Sequence, residues 1–346
     1  MKKILALALC LCTILAVCVA CGAKEVEYKL GMGVVVSMDS SKTGNAQVDA
    51  TVATVVTDAE GKIVACRIDV AQNKMTITEG AVEATKTFKT KMELGDDYNM
   101  AKYGQPNVEG GTVKEWYVQT KAFEQYVVGK TAAEVEAIAT KEVNAHQIAV
   151  DEALLNAGCT MQITEFKAAV VKACKDEQGM AFKAVAGSFT LGVAANTTVD
   201  SATKAATAEE TGVVAMYTDF ACAVVADGKV LATLNDAIQP KMTIDAAGEV
   251  TEKTFKGTKR ELKEGYNMAA YGQPNVEGGT VKEWYVQSAA FSNYVVGKTA
   301  AEIKAMETKE VNNHQISVEQ ALLDAGCTMQ ITGICDVVAK AATNAR

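Results

Sequence analysis

A short motif containing glycine, cysteine and threonine is the part of this sequence whose residue types best suit chemistry, and it occurs twice. The letters AGCTMQIT run over Ala157–Thr164 and return over Ala325–Thr332. A glycine, a small residue and a threonine ahead of a helix offer backbone N–H groups and a hydroxyl to an anion such as phosphate. A plain turn with a threonine N-cap would use the same letters. The candidate cofactor-binding residues are therefore Gly158, Cys159, Thr160 and Thr164, with Gly326, Cys327, Thr328 and Thr332 in the second occurrence.

The motif belongs to a longer duplicated unit. The segment Tyr103–Gln119, which reads YGQPNVEGGTVKEWYVQ, returns unchanged as Tyr271–Gln287, and YVVGKTAAE at Tyr126–Glu134 returns as Tyr294–Glu302. The two copies are offset by 168 residues, the difference between positions 103 and 271. Solenoid repeats are only about 20–50 residues long, so a unit of this length is a whole domain.

Each unit begins with strands and continues with helices. In the first unit, apolar alternation predicts strands over 28–38, 48–57 and 63–70, a hairpin turn over Asp58–Lys62 and another short strand over Lys74–Ile77. Helical spacing and a capping box at Thr131–Glu134 predict helices over 113–128, 131–139 and 164–174. This order indicates an α+β fold with an antiparallel sheet. We expect two tandem domains, over 27–174 and 189–342, joined by a linker over 175–188.

The N-terminus has the pattern of a secretory signal. Basic residues at positions 2 and 3 precede an uncharged run over Ile4–Ala20, and Cys21 follows. Cys21 resembles the lipidated cysteine of bacterial lipoproteins, which predicts a signal peptide over 1–21 and a lipid anchor on a protein that faces outside the cytoplasm. The alternative is an uncleaved helical anchor. A net charge of −8 argues against nucleic acid as a partner.

Other chemistries find less support in the sequence. Among the six cysteines after Cys21, only Cys159 and Cys327 occupy equivalent positions in the two copies, so we expect most of these thiols to be small buried hydrophobes rather than a copied disulfide framework. One histidine in each copy, His146 and His314, is too few for a zinc site. A nucleophile pair of Cys159 with His146 would need spatial proximity that sequence spacing does not supply.

The order of these motifs resembles a known family. A hairpin with Gly-Lys in its turn, then YVVGKT, then AGCT ahead of a C-terminal helix is similar to the extracytoplasmic FMN-binding domain family, which occurs in bacterial lipoproteins and in membrane electron-transfer complexes. The resemblance covers nearly all of both copies. It implies a lipoprotein with two FMN-binding-like domains that carries flavin for extracellular electron transfer, with a membrane redox partner, rather than a stand-alone enzyme.

The resemblance also bears on how FMN would be held. In the family, a threonine at the position of Thr160 and Thr328 can be esterified to the FMN phosphate. Ala157 and Ala325 stand where the family prefers Ser or Thr. Leu154 and Leu322 stand where covalently modified members carry Asp. We therefore expect noncovalent FMN. Aromatic candidates for the flavin ring are Tyr103, Trp116, Tyr117, Tyr271, Trp284 and Tyr285, although the helical spacing of Trp116 favours core packing for that residue. The alternatives are a solute-binding or structural surface lipoprotein with degenerate domains.

Overall fold

The computed structural model describes residues 24–83 and 87–346. The predicted signal peptide over 1–21 and its Cys21 lie outside the described residues. The first copy opens with an antiparallel sheet in which each strand pairs with the next along the chain. Its strands are β1 (Val26–Ser37), β2 (Asn45–Thr57), β3 (Ile63–Thr78) and β4 (Ala81–Val82).

Helices and a small hairpin then cover one face of this sheet. They are α1 (Lys91–Leu94), a 3-10 turn (Gly95–Tyr98), α2 (Met100–Tyr103), α3 (Trp116–Tyr126), α4 (Ala132–Glu136), the hairpin β5 (Thr140–Val143) and β6 (His146–Ala149), α5 (Glu152–Ala157) and α6 (Thr164–Cys174). Strand β7 (Met180–Ala184) lies inside the segment predicted as a linker. It pairs antiparallel with β1 and so completes the first sheet.

The second copy repeats this order. Its strands are β8 (Thr190–Val199), β9 (Gly212–Ala226), β10 (Lys229–Ile238), β11 (Lys241–Ile244) and β12 (Val250–Thr254). They are followed by α7 (Lys259–Leu262), a 3-10 turn (Lys263–Tyr266), α8 (Met268–Tyr271), α9 (Trp284–Tyr294), α10 (Ala300–Lys304), β13 (Thr308–Val311), β14 (His314–Ser317), α11 (Gln320–Asp324) and α12 (Thr332–Thr343). The fold is therefore mixed α+β with antiparallel sheets.

Most of the strongly patterned elements lie where the sequence predicts them. The hairpin β2–β3 turns at Asp58–Lys62, and Thr131 and Glu134 form the expected reciprocal capping box at the start of α4. The separate strand predicted over Lys74–Ile77 is wrong, because these residues continue β3 without a break. In the second copy the equivalent strand is interrupted at Pro240, which has no N–H to donate to the ladder, and so splits into β10 and β11.

The two sheets pack against each other face to face. One hydrophobic core contains residues from both copies, among them Leu30, Val34 and Met75 from the first and Leu191 and Phe220 from the second. Two further cores lie between each sheet and its own helices, around Phe123, Phe166 and Ala173 in the first copy, and around Phe291, Ile334 and Val338 in the second. The order of layers is helices, sheet, sheet, helices.

Contacts between the copies are reciprocal. Lys172 on α6 pairs with Glu261 of the second copy, and its counterpart Lys340 on α12 pairs with Glu93 of the first, with 2.7 Å between Lys340 Nζ and Glu93 Oε1. The Gly44 N–H donates to Gly248 O at 3.0 Å, while the N–H at residue 206 donates to the carbonyl of residue 80 at 2.9 Å. Such i-to-j and j-to-i contacts characterise a twofold interface, here formed within one chain.

Two glycines set how closely each sheet approaches its last helix. A Cβ on Gly31 in β1 would lie 2.0 Å from Ala173 O on α6, and a Cβ on Gly192 in β8 would lie 2.0 Å from Ala341 O on α12. No side chain fits at either distance, so only glycine permits this packing. The helix that follows each AGCTMQIT motif is thereby fixed against its sheet.

Candidate functional site

The motif in the first copy is a tight turn between α5 and α6. Gly158 ends α5 with a left-handed φ of 100°, which favours glycine. Thr160 donates both its N–H and its hydroxyl to Gln119 Oε1, at 2.9 and 3.3 Å. Asn107 Nδ2 donates to Thr160 O at 3.0 Å. The turn is thus held by two amide side chains from the unchanged segment Tyr103–Gln119.

A lysine from the same segment lies across the motif glycine. The Lys114 side chain is so close to Gly158 that a Cβ there would be 2.3 Å from Lys114 Nζ. In the second copy the corresponding distance from Gly326 to Lys282 Nζ is 2.2 Å, and this ammonium donates to Ala325 O at 3.3 Å. Glycine at this position therefore makes room for an ammonium group beside the threonine.

The second copy reproduces the whole arrangement. The Thr328 N–H and hydroxyl donate to Gln287 Oε1 at 2.8 and 3.4 Å, and Asn275 Nδ2 donates to Thr328 O at 2.9 Å. The glutamine, asparagine and lysine were not predicted from the motif in either copy. The signal that could have found them is the unchanged repetition of the segment that contains all three.

The threonine at the end of each motif is separate from this group. Thr164 is the first residue of α6, and its hydroxyl donates to Glu165 Oε2 at 2.9 Å. The N-cap positions of α6 and α12 are Ile163 and Ile331, and neither side chain makes a capping hydrogen bond. A threonine N-cap therefore does not account for the motif. Thr332 has the same place at the start of α12.

The motif cysteines are not placed as nucleophiles. Cys159 and Cys327 are fully buried, and burial raises the pKa of each thiol to about 12, so both are protonated at neutral pH. His146, the other member of the conceivable pair, is exposed on β6. All six cysteines after Cys21 carry free thiols, and every one except Cys174 is buried. Within the described ranges no cluster of histidine, cysteine and carboxylate residues could hold a metal ion.

The aromatic candidates divide into core and surface residues. Trp116 and Trp284 are buried, and Trp116 packs edge-on against Phe166 with 5.9 Å between ring centroids. Tyr103 and Tyr271 are 73% and 85% exposed at the ends of α2 and α8. Tyr117 and Tyr285 are half-buried. The tryptophans thus serve the core, whereas the tyrosine at the start of each unchanged segment faces solvent.

A buried lysine in the second copy was not predicted. Lys259 Nζ donates to the Tyr217 hydroxyl at 3.1 Å and lies 4.6, 4.7 and 5.4 Å from the ring centroids of Tyr217, Tyr266 and Trp284. Such short distances between an ammonium and aromatic faces are stabilising. Burial lowers the pKa of Lys259 and raises that of the nearby Asp219 carboxyl.

The three rings around Lys259 form a cage, and the first copy has two of them, because Lys91 lies over Tyr98 and Trp116. Strand register places Asp219 where the first copy has Thr51, and Tyr217 where it has Asp49. A Cβ on Gly333 would lie 2.8 Å from Asp219 Oδ2, so the glycine makes room for the carboxylate beside the start of α12. The first copy instead has Glu165 at that helix position. The carboxylate thus belongs to a strand in the second copy and to a helix in the first, and no sequence periodicity predicts such a difference.

A cavity of about 400 Å³ reaches Lys259 from the surface. It is lined by aromatic, amide and lysine side chains and by two glycines, and Tyr271 stands among them. None of the residues of the AGCTMQIT motif lines it. The second copy therefore has two distinct polar features, the motif turn and this cavity.

Across residues 24–83 and 87–346, no helix is both long enough and apolar enough to cross a membrane. In comparisons with known proteins, no protein-family model, no curated protein and no solved structure matches this chain.

Proposed function

We propose that this chain is an extracytoplasmic lipoprotein, tethered to a membrane through Cys21, whose two FMN-binding-like domains carry flavin for extracellular electron transfer. The observation that carries the proposal is the lysine ammonium lying over the motif glycine beside a threonine, at Lys114 and Gly158 and again at Lys282 and Gly326. An ammonium and a hydroxyl on a glycine turn are the groups that an FMN phosphate needs.

The residues present fit a phosphate group at each turn. The space that a Cβ on Gly158 would fill is taken by the end of the Lys114 side chain, so the cation is held next to the turn. Gln119 and Asn107 fix the backbone of Thr160 from both sides, since one accepts from its N–H and the other donates to its carbonyl. These side chains would bind and orient the phosphate, with the ammonium supplying most of the charge complementarity.

Noncovalent binding is the form that the surroundings favour. Covalently modified relatives carry an aspartate six residues before the acceptor threonine, where this chain has Leu154 and Leu322. Both leucines are fully buried in the helical cores, so neither position has a carboxylate to assist esterification. The Thr160 hydroxyl has one hydrogen, which it donates to Gln119, so it would have to rotate away from Gln119 to donate to a phosphate oxygen.

Flavin, when bound, would supply the one- and two-electron redox chemistry. The protein would supply two carriers on one tether, each on the outer helical layer of its own copy. A membrane redox partner on one side and an acceptor outside the cell would suit such an arrangement.

The test is an absorbance spectrum from 300 to 550 nm of protein purified from its native host, before and after acid precipitation. Flavin bands near about 370 and 450 nm that leave with the supernatant are expected for noncovalent FMN. Replacing both Lys114 and Lys282 by methionine should weaken FMN binding at least about tenfold per site, because a charge-assisted hydrogen bond is lost.

The matched control replaces Lys141 and Lys309, equivalent exposed lysines on β5 and β13, by methionine. This variant should bind FMN as the unmodified protein does. A colourless protein that fails to take up added FMN would refute the proposal and favour the degenerate, flavin-free alternative. Bands that stay with the precipitate would show covalent attachment and contradict the noncovalent form.

A further inference from the structure

The cavity beside Lys259 has an unusual charge for this acidic protein. Its lining contains three lysines, Lys241, Lys256 and Lys259, and no aspartate or glutamate, although the chain has a net charge of −8. Phe255, Tyr266 and Tyr271 supply aromatic walls. A cavity of about 400 Å³ lies within the usual range of small-molecule sites.

Lys259 supplies a cation that the protein leaves partly unsatisfied. The residue is 7% exposed, and its ammonium has three N–H donors, of which one goes to the Tyr217 hydroxyl. Within the described part of the chain, no carboxylate oxygen lies within 4.0 Å of Lys259 Nζ. An anionic ligand would therefore give Lys259 the direct charged hydrogen bond that the nearby aspartates do not make.

The surroundings select a singly charged anion. Asp219, Asp236 and Asp200 interact electrostatically with Lys259 and would repel a phosphate dianion more strongly than a singly charged anion. A carboxylate brings one negative charge and matches the single buried ammonium. Aromatic walls favour a planar ring attached to that carboxylate, because ring faces stack with little loss of conformational freedom.

The first copy has counterparts of Lys259, Tyr266 and Tyr271, namely Lys91, Tyr98 and Tyr103, but it differs from the second copy around them. Gly257, with a left-handed φ of 139°, is an extra residue between Lys256 and Thr258, because the first copy runs from Lys89 to Thr90 without it. Lys91, the counterpart of Lys259, lies only half-buried over Tyr98 and Trp116. The first copy therefore serves as an internal control.

We infer that the second copy contains a binding site, separate from the motif turn, for a planar aromatic carboxylate, with Lys259 as its anion partner and Tyr266 and Tyr271 as its aromatic walls. The site would receive a ligand of one or two fused rings. It rests on the cavity and its lining, and does not require that FMN binds at either motif turn.

Isothermal titration of the full chain with 2-naphthoate tests the inference. One binding site per chain is expected, and the neutral analogue 2-naphthalenemethanol should bind at least about tenfold more weakly, because a charged hydrogen bond is lost. Lys259→Met should weaken 2-naphthoate binding by a similar factor, whereas Lys91→Met in the first copy should leave it unchanged. Equal affinity for the acid and the alcohol would overturn the inference.

A second variant guards against a folding defect in Lys259→Met. Tyr271 is 85% exposed, so Tyr271→Ala cannot disturb a core, and it should weaken 2-naphthoate binding severalfold while Tyr103→Ala does not. FMN added in excess should not displace 2-naphthoate. Displacement by FMN, or no binding of 2-naphthoate to the unmodified protein, would show that the cavity is not a separate carboxylate site.

Discussion

The ion pair between Asp176 and Arg260 joins the two copies, and replacing Asp176 by alanine is the most direct test of their packing. Arg260 Nη2 lies 3.0 and 3.2 Å from the two carboxylate oxygens of Asp176 and donates to Gln178 O at 2.9 Å. The two side chains are only 8% and 9% exposed. Asp176 Oδ2 also accepts the Met32 N–H at 3.1 Å, so the carboxylate connects α7 to β1.

The expected loss follows from burial. Asp176→Ala removes both carboxylate oxygens that Arg260 Nη2 contacts, so that the Gln178 carbonyl is the remaining hydrogen-bond acceptor of this nitrogen among the described residues, and it removes the acceptor of the Met32 N–H. Removing one partner of a buried pair costs about 3–5 kcal/mol, because the remaining charge is uncompensated. The exposed pair of Lys175 and Glu136 should contribute at most about 1 kcal/mol.

Urea denaturation followed by circular dichroism measures both effects. The unmodified protein should unfold in one transition, because the central core contains side chains from both copies. Asp176→Ala should lower the free energy of unfolding by about 3–5 kcal/mol, and the double variant Asp176→Ala/Arg260→Met should recover most of that loss. Glu136→Ala is the matched control. A loss below about 1 kcal/mol for Asp176→Ala, or two independent transitions, would refute this account of the interface.

Two further predictions concern single positions. Gly31→Ala would place a Cβ 2.0 Å from Ala173 O, so it should lower the free energy of unfolding by about 1–3 kcal/mol or more. Gly265 has open space around it, so Gly265→Ala should leave the free energy of unfolding unchanged, and equal urea midpoints for the two variants would contradict this prediction. Burial raises the pKa of Asp236 from 3.8 to about 6, so the folded protein keeps this proton up to a higher pH than the unfolded chain does. Asp236 should therefore contribute a loss of roughly 3 kcal/mol of stability as the pH rises from about 4 to 6, and Asp236→Asn should remove this contribution from the pH dependence of urea melts; parallel pH profiles would disprove it.

The local elements of the fold could be predicted because their signals are local. Alternating apolar residues and a Gly-Lys turn predict the hairpin β2–β3, and the letters TAAE predict the cap at Thr131. Strand β7 could not be predicted, since its partner β1 lies about 150 residues away and its own sequence has no strong period. The four-residue helices α1 and α2 are too short for a helical period to appear.

The candidate site was predicted only in part for a similar reason. Gly158 and Thr160 lie close together in sequence, so the motif identifies them. Gln119 lies on α3 and Lys114 just before it, far from the motif in sequence. The cage around Lys259 combines a strand, a helix start and a 3-10 turn, and no spacing rule connects them. The backbone turn could therefore be predicted from the sequence, whereas the side chains that give it charge could not.

The distribution of identity between the copies follows from their packing. The apolar side of each helical layer packs on its own sheet, so the unchanged segment Tyr103–Gln119 meets the same hydrophobic environment as its repeat. The sheets instead pack on each other, and equivalent positions there are filled differently. Phe220 stands where the first copy has Val52, and both contribute to the shared core, so a large residue from one copy complements a small residue from the other.

The polar contacts that Asn73 makes across the two sheets are one-sided in the same way. Asn73 donates to the hydroxyls of Thr197 and Thr218 of the second copy, at 3.0 and 3.4 Å. The residue of the second copy that corresponds to Asn73 is Pro240, whose side chain has no donor. Because the copies are joined in one chain, the first sheet always packs on the second and not on an identical sheet. Each sheet can therefore change in sequence without keeping a self-complementary surface. The Lys259 cage, which depends on Tyr217 from such a diverged strand, is therefore a feature that one copy can have and the other can lack.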